Sequence, residues 1–153
     1  MKITDILSEE LVVPTLAGTS KEAVLRELAC HIARLRPAID ADRLEAVLWE
    51  RERLGSTAIG DGIAIPHGKL PGLTAVIGAF GRHASGVDFQ SLDGKPSRLF
   101  FVLVAPEESV GQHLKALARV SRLLKDAAFR ERLLTAPDAP ALFSAICAED
   151  DKY

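Results

Sequence analysis

The segment from Arg51 to Leu70, Arg-Glu-Arg-Leu-Gly-Ser-Thr-Ala-Ile-Gly-Asp-Gly-Ile-Ala-Ile-Pro-His-Gly-Lys-Leu, concentrates the residues of this chain that can do chemistry. Pro66 stiffens the backbone ahead of His67, and Gly68 removes the side chain that would crowd the ring. The other glycines of the segment permit tight turns, and amides exposed in such turns form anion-binding concavities. An imidazole presented at a strand end among free donors suits attack on a phosphoryl group. A neutral ring nitrogen takes the phosphorus while the donors hold the equatorial oxygens. Taken alone, Pro-His-Gly is more often an ordinary turn after a strand. The Gly60-x-Gly62 pair is equally weak by itself, since it lacks the third glycine and following helix of a dinucleotide fingerprint.

A second histidine changes that weighing. His113 falls in the first turn of a helix whose pattern begins at Ser109, where the helix dipole disfavours protonation. A neutral ring there can hydrogen-bond an imidazole or a phosphoryl oxygen; the plainer alternative is a solvent-exposed helix histidine. Arg51, at the end of a helix, can clamp phosphate with its planar fork, although a cation at a helix C-terminus is favourable without any ligand. Ser56 and Thr57 can donate hydroxyls to a phosphate or simply cap the turn. His31 lies near an apolar helical stripe and reads as a boundary residue. His83, in the polar stretch Gly81-Arg82-His83-Ala84-Ser85, reads as a loop residue.

Helices and strands must position these groups. The first helix is predicted from about Ser20 to Leu35, with Thr19 and Glu22 at capping-box spacing and Val24, Leu25, Leu28, Ile32 and Leu35 as its apolar stripe. A second runs from about Ala41 to Leu54, capped by Asp40, with Leu44, Val47 and Leu48 facing inward and Gly55 as its left-handed stop. Ile59 to Pro66 and Thr74 to Phe80 are β-compatible. Leu99 to Ala105 is a continuous apolar run closed by Pro106, the pattern of a strand buried on both faces. Ser85-Gly86 and Asp93-Gly94 mark turns. Ser109 and Gln112 suggest a second capping box opening a helix that carries Leu114, Leu117, Ala118, Ser121 and Leu124, followed by short helices around Ala127–Leu134 and Ala139–Ala148, the latter opened by Asp138 and Pro140, with Glu149 to Tyr153 as a frayed tail. The reading is a single α/β domain over residues 1–153, a mixed β-sheet flanked by helices on both sides.

Composition narrows the function. A length of 153 residues supports one core, and a formal net charge of −2 with scattered Lys and Arg gives no footprint for nucleic acid or a membrane surface. No apolar run is long enough to span a bilayer, and Met1-Lys2-Ile3-Thr4-Asp5 is no signal peptide, so the expected compartment is the cytoplasm. Cys30 and Cys147 are too far apart in sequence for a metal motif and read as small buried hydrophobes. No His-Glu-x-x-His or Cys/His cluster supports a metal-dependent hydrolase. No metal or cofactor is expected.

The run Gly-Ser-Thr-x-Ile-Gly-x-Gly-Ile-Ala-Ile-Pro-His-Gly resembles the active-site signature of the enzyme IIA domains of the fructose/mannitol phosphotransferase class. The likeness extends from Ile3-Thr4-Asp5-Ile6-Leu7 through Lys21-Glu22-Ala23-Val24-Leu25 and Phe101-Val102-Leu103-Val104-Ala105-Pro106 to His113-Leu114, and is strongest to the nitrogen-type branch. Ala58 departs from the pattern, which commonly carries glycine there. The resemblance implies a mixed sheet flanked by helices and phosphorylation of His67, at Nε2. Arg51, sixteen positions before it, and His113 correspond to the family's phosphate-site arginine and second histidine. Ser56, Thr57 and Gly68 are then supporting phosphate contacts. The implied donor is an HPr-like phosphocarrier (NPr in the nitrogen branch), fed from phosphoenolpyruvate. Two uses compete within that chemistry: a regulator of nitrogen and potassium functions acting on partner proteins, and a sugar relay passing phosphate to a IIB domain. With no IIB, membrane or carrier module following in this sequence, regulation is the expectation. Either way the protein is a phosphohistidine relay and not a stand-alone turnover enzyme. The remaining alternative is a purely structural interaction module.

Overall fold

The most apolar run in the chain forms its central strand. The computed structural model describes all 153 residues, Met1–Tyr153, and Leu99 to Ala105 lie within strand β6 (Ser97–Pro106), buried at every position except Arg98. Five other strands assemble on it: β1 (Val12–Val13), β2 (Ala58–Gly60), β3 (Ile63–Ala64), β4 (His67–Leu70) and β5 (Ile77–Val87). The sheet order is β1-β5-β6-β3-β2, with β4 also paired to β6. β5 runs antiparallel to β6, with Phe80 opposite Phe101, whereas β3 and β4 run parallel to it on the other side. β1 pairs parallel with β5, and β2 closes the opposite edge antiparallel to β3.

Five helices cover both faces: α1 (Lys21–Leu35), α2 (Ala41–Arg53), α3 (Val110–Leu124), α4 (Ala127–Thr135) and α5 (Ala139–Asp150). Successive residues of β6 point to opposite faces. Phe101 meets Phe80 edge-on at 6.2 Å under Val120, Leu123, Phe129, Leu133 and Ile146 of α3, α4 and α5. Phe100 meets Phe89 at 5.2 Å on the other face, where Gly81 lets Leu28 of α1, and Leu16 from the chain ahead of it, close onto the sheet. The mixed sheet flanked by helices on both sides is therefore the observed architecture, and no helix is long and apolar enough to cross a membrane.

Local chemistry explains most helix starts and corrects two expectations. Asp40, Asp126 and Asp138 cap α2, α4 and α5 by accepting from the amides of Arg43, Phe129 and Ala141. α1 is capped by Ser20, whose Oγ accepts from the Ala23 amide at 3.1 Å, so Thr19 is not the cap. Ser109 precedes α3 without a side-chain cap, and the box with Gln112 does not form.

Two segments are more ordered than their composition suggests. The stretch around His83 is not a loop but the second half of β5, kept in the sheet by pairing with β6 and by a bulge between Arg82 and Val87. His83 is buried, donating from Nε2 to the Gly18 carbonyl at 2.8 Å and accepting from the Gly86 amide at 2.9 Å. Ser85-Gly86 is thus part of that bulge rather than a turn; Gly86 has φ +91° and no room for a side chain beside Pro96. The tail expected to fray begins instead with Glu149 and Asp150 inside α5, each 1% exposed. Asp150 accepts from the Ile3 amide at 2.8 Å and from Arg119 Nε at 2.5 Å, while Glu149 pairs with Arg132 and Lys152. Those partners balance the carboxylates and tie both chain ends to α3 and α4.

Candidate functional site

β3 and β4 keep one register along β6: Ala64 lies opposite Phe100 and His67 opposite Leu103. They are two parts of one line of chain, interrupted at Ile65 and Pro66. Pro66 has no N–H to give, although its carbonyl accepts from the Leu103 amide at 3.0 Å. Ile65 faces away from β6, its amide donating to the Thr57 carbonyl at 3.1 Å, and the ring of His67 takes its carbonyl, with Nδ1 2.8 Å from that oxygen. A carbonyl can only accept, so Nδ1 carries the proton and Nε2 of the neutral ring holds the lone pair. His67 is half-buried. Burial lowers its pKa from the ordinary histidine value; the Ile65 carbonyl opposes this, the Arg51 charge adds to it, and Glu52 opposes it.

His113 enters from α3. Its ring centroid is 5.4 Å from that of His67, with the planes tilted by 48°. It is 6% exposed, so the exposed-helix alternative is set aside, and its buried Nδ1 has no hydrogen-bond partner. Burial, then the charges of His67 and Lys69, push its pKa down as well. Two imidazoles held neutral side by side are one potential nucleophile and one hydrogen-bonding neighbour.

Arg51 arrives from the opposite face, through Gly68. A Cβ on Gly68 would stand 2.3 Å from Val47 Cγ1, so the glycine is what lets α2 close onto β4. Val47 and Arg51 share one face of α2, a single turn apart. The guanidinium donates from Nη1 to the Gly55 carbonyl at 2.9 Å and acts electrostatically on His67. Gly68 therefore serves helix packing, with its main chain paired opposite Val104 in the ladder.

Ser56 and Thr57 do not face the imidazoles as free donors. Ser56 Oγ donates to the Phe89 carbonyl at 2.6 Å and accepts from the Ala58 amide at 3.1 Å. Thr57 is buried, and both its hydroxyl and its amide donate to the Glu52 carboxylate. That carboxylate belongs to a group sequence reasoning missed. Lys21 Nζ lies 2.9 Å from Glu52 Oε1, both residues are buried, and the ammonium also reaches Gln90 Oε1 at 3.1 Å and the face of Phe89. The signal was present: Glu52 continues the stripe of Leu44 and Leu48, and Lys21 precedes Val24, Leu25 and Leu28 on theirs. A charge on an apolar stripe needs a buried partner. This pair fixes the turn after Arg51. Ala58 is fully buried in β2 opposite Ala64, just before an irregularity at Gly60, and its φ is not positive, so the methyl group in place of the family's glycine is accommodated.

The remaining chemistry lies elsewhere. His31 bonds the Glu10 carbonyl and accepts from Arg34, remote from His67 in the fold. Cys30 is exposed on α1, and Cys147 is half-buried on α5 with its thiol pKa pushed up by burial. No group of three His, Cys, Asp or Glu side chains is placed to hold a metal ion.

The site is thus an α/β domain's pair of neighbouring imidazoles, with the Arg51 charge acting on one of them. Residues 5–148 match the family described as "Phosphoenolpyruvate-dependent sugar phosphotransferase system, EIIA 2", and the chain belongs to that family. It is 45% identical over 146 residues to a nitrogen regulatory protein of Bradyrhizobium diazoefficiens, covering 95% of each chain. It is also 36% identical over 150 residues to the fructose-specific EIIABC component of Bacillus subtilis, covering 98% of this chain and 24% of that one. Among solved structures, the nitrogen regulatory protein IIA-Ntr of Neisseria meningitidis superposes with a TM-score of 0.88 at 33% identity, covering 94% of this chain and 98% of that one.

Proposed function

We propose that the protein is a phosphoryl-carrying regulator. Nε2 of His67 receives a phosphoryl group from an HPr-like carrier of the nitrogen type (NPr), and the phosphorylation state sets which partner proteins it engages, in nitrogen and potassium control. The relay works in the cytoplasm, where its carrier is found.

The single observation that carries this reading is the Nδ1–H bond of His67 to the Ile65 carbonyl. It leaves Nε2 as the nucleophile and keeps the proton where it is throughout the transfer. In the step, the Nε2 lone pair forms a bond to phosphorus while the donor's N–P bond breaks. The donor imidazole keeps that electron pair and leaves neutral, retaining the proton on its other nitrogen. His67 becomes a phosphorylated imidazolium, its Nδ1–H still on Ile65. Arg51 and His113 hold the transferring oxygens, and fixed donors in a half-buried site supply most of the stabilisation. The activated N–P bond of the donor supplies the driving force.

The test is incubation with phosphoenolpyruvate, enzyme I and the carrier. An acid-labile gain of one phosphoryl mass, absent in His67→Ala, supports the reading; equal labelling of that variant ends it. Regulation is favoured by the likeness to nitrogen regulatory proteins along almost their entire length. The second reading, a relay to a sugar-specific IIB, is favoured by the match to one part of a fructose-specific component. Rapid passage of label to a purified IIB domain would reverse the order.

A further inference from the structure

We propose that Lys69 is a further cation of this site, and that its ammonium contacts the oxygens of a phosphoryl group on His67. The proposal rests on the phosphohistidine reading above and adds a residue to it.

Three observations carry it. Gly68 faces Val47 on the α2 side, and alternate strand residues share a face, so His67 and Lys69 both point to the α3 side, where His113 stands. Two residues along a strand span about 6.6 Å, a gap that the flexible four-carbon stem of a lysine can fold back across. Lys69 is exposed and makes neither an ion pair nor a side-chain hydrogen bond; of the lysines without such a partner, which include Lys95, Lys115 and Lys125, it is the one on the strand of His67. Its charge already acts on the neighbouring ring, since it helps to hold His113 below the ordinary histidine pKa.

The placement of charge says what that cation is for. A phosphoryl group brings about −1.5 to −2 charges at neutral pH. Arg51 offers one positive charge from the α2 side, His113 is held neutral, and Glu52 is committed to Lys21 and Thr57. Together with the imidazolium charge of the phosphorylated His67 ring, that guanidinium offsets the group overall, but on the α3 side of the sheet the neutral His113 offers no charge, and Lys69 brings one there. It forms and breaks no covalent bond. A compact ammonium with three rotatable donors can follow the oxygens as the phosphorus passes from the carrier's nitrogen to Nε2.

The experiment compares wild type, Lys69→Gln and Lys69→Arg. Without phosphate, NMR titration of the His113 ring should show its pKa rising in K69Q and staying near wild type in K69R. After labelling through enzyme I and the carrier, the phosphorus resonance should titrate at higher pH in K69Q, and transfer from the carrier should slow roughly tenfold, with K69R retaining most of both. A labelled wild type whose K69Q variant matches it in phosphorus titration and transfer rate overturns this proposal alone. A wild type that takes no label overturns the phosphohistidine reading and this proposal with it.

Discussion

The rings of His67 and His113 stand 5.4 Å apart between centroids, tilted by 48°, with no hydrogen bond joining them. One comes from a strand that enters the sheet beside β6, the other from the helix that leaves it. A phosphoryl group seated on Nε2 of the first ring can be touched by the second without either ring moving far.

Removing the second ring should therefore impair transfer more than folding. His113→Ala is expected to slow phosphorylation by the carrier by roughly 10²-fold, the cost of losing one preorganised contact to a transferring group. Rapid-quench measurement of labelling, beside an unchanged far-ultraviolet circular dichroism spectrum, checks this.

Both imidazoles have pKa values below the ordinary histidine value of about 6.5. In the folded state they resist protonation that the unfolded chain accepts, so the unfolded state binds more protons across that interval. Stability is unaffected above the ordinary value and falls as pH drops from there toward the lower folded values. Urea midpoints should decrease between pH 7.5 and 5.5, and His67→Ala and His113→Ala should each flatten that decrease. Labelling of His67 should likewise hold steady down to the ordinary histidine range and fall only below it.

The Lys21–Glu52 pair should behave as a buried ion pair with a second duty. Lys21→Met leaves Glu52 without its counter-ion, and a loss of about 3–5 kcal/mol is expected in urea unfolding. Glu52→Gln should cost less where it keeps the Thr57 contacts, yet it loosens the turn that follows Arg51. In that variant, phosphorylation should slow at concentrations of denaturant far below the unfolding midpoint.

Gly68→Ala should destabilise the fold by about 1–3 kcal/mol, because its methyl group meets Val47 Cγ1. Adding Val47→Ala should recover part of the loss. A double-mutant cycle in urea reads the coupling directly; additive losses would mean that α2 does not rest on β4 through this contact.

Much of the scaffold was legible because its signals are local. Helical stripes mark α1 and α2, Asp40 and Asp138 cap α2 and α5 as their positions suggest, and the run from Leu99 to Ala105 could hardly be anything but a central strand. What escaped depends on partners distant in sequence. His83 sits in glycine- and alanine-rich chain that only pairing with β6 makes into a strand. Glu149 and Asp150 look like tail charges until Arg132, Arg119 and the Ile3 amide are brought to them. In the candidate site, the histidines and Arg51 stood out by residue type and spacing. Ser56 and Thr57 misled because a hydroxyl beside a glycine-rich turn looks free until Phe89 and Glu52 claim it. In the sequence Lys69 looks like one more surface lysine, because the strand parity it shares with His67 shows only in the fold.

The gap at Ile65 and Pro66 has a consequence for how such a protein can change over generations. The choice between the two ring nitrogens is made by a main-chain oxygen, and no side chain on the outer surface takes part. Under the proposed function, substitutions around the rim can retune which protein docks there without disturbing the nitrogen that takes the phosphoryl group. Recognition is thus free to diversify while the chemistry stays inherited, as long as that carbonyl keeps its hold on the ring.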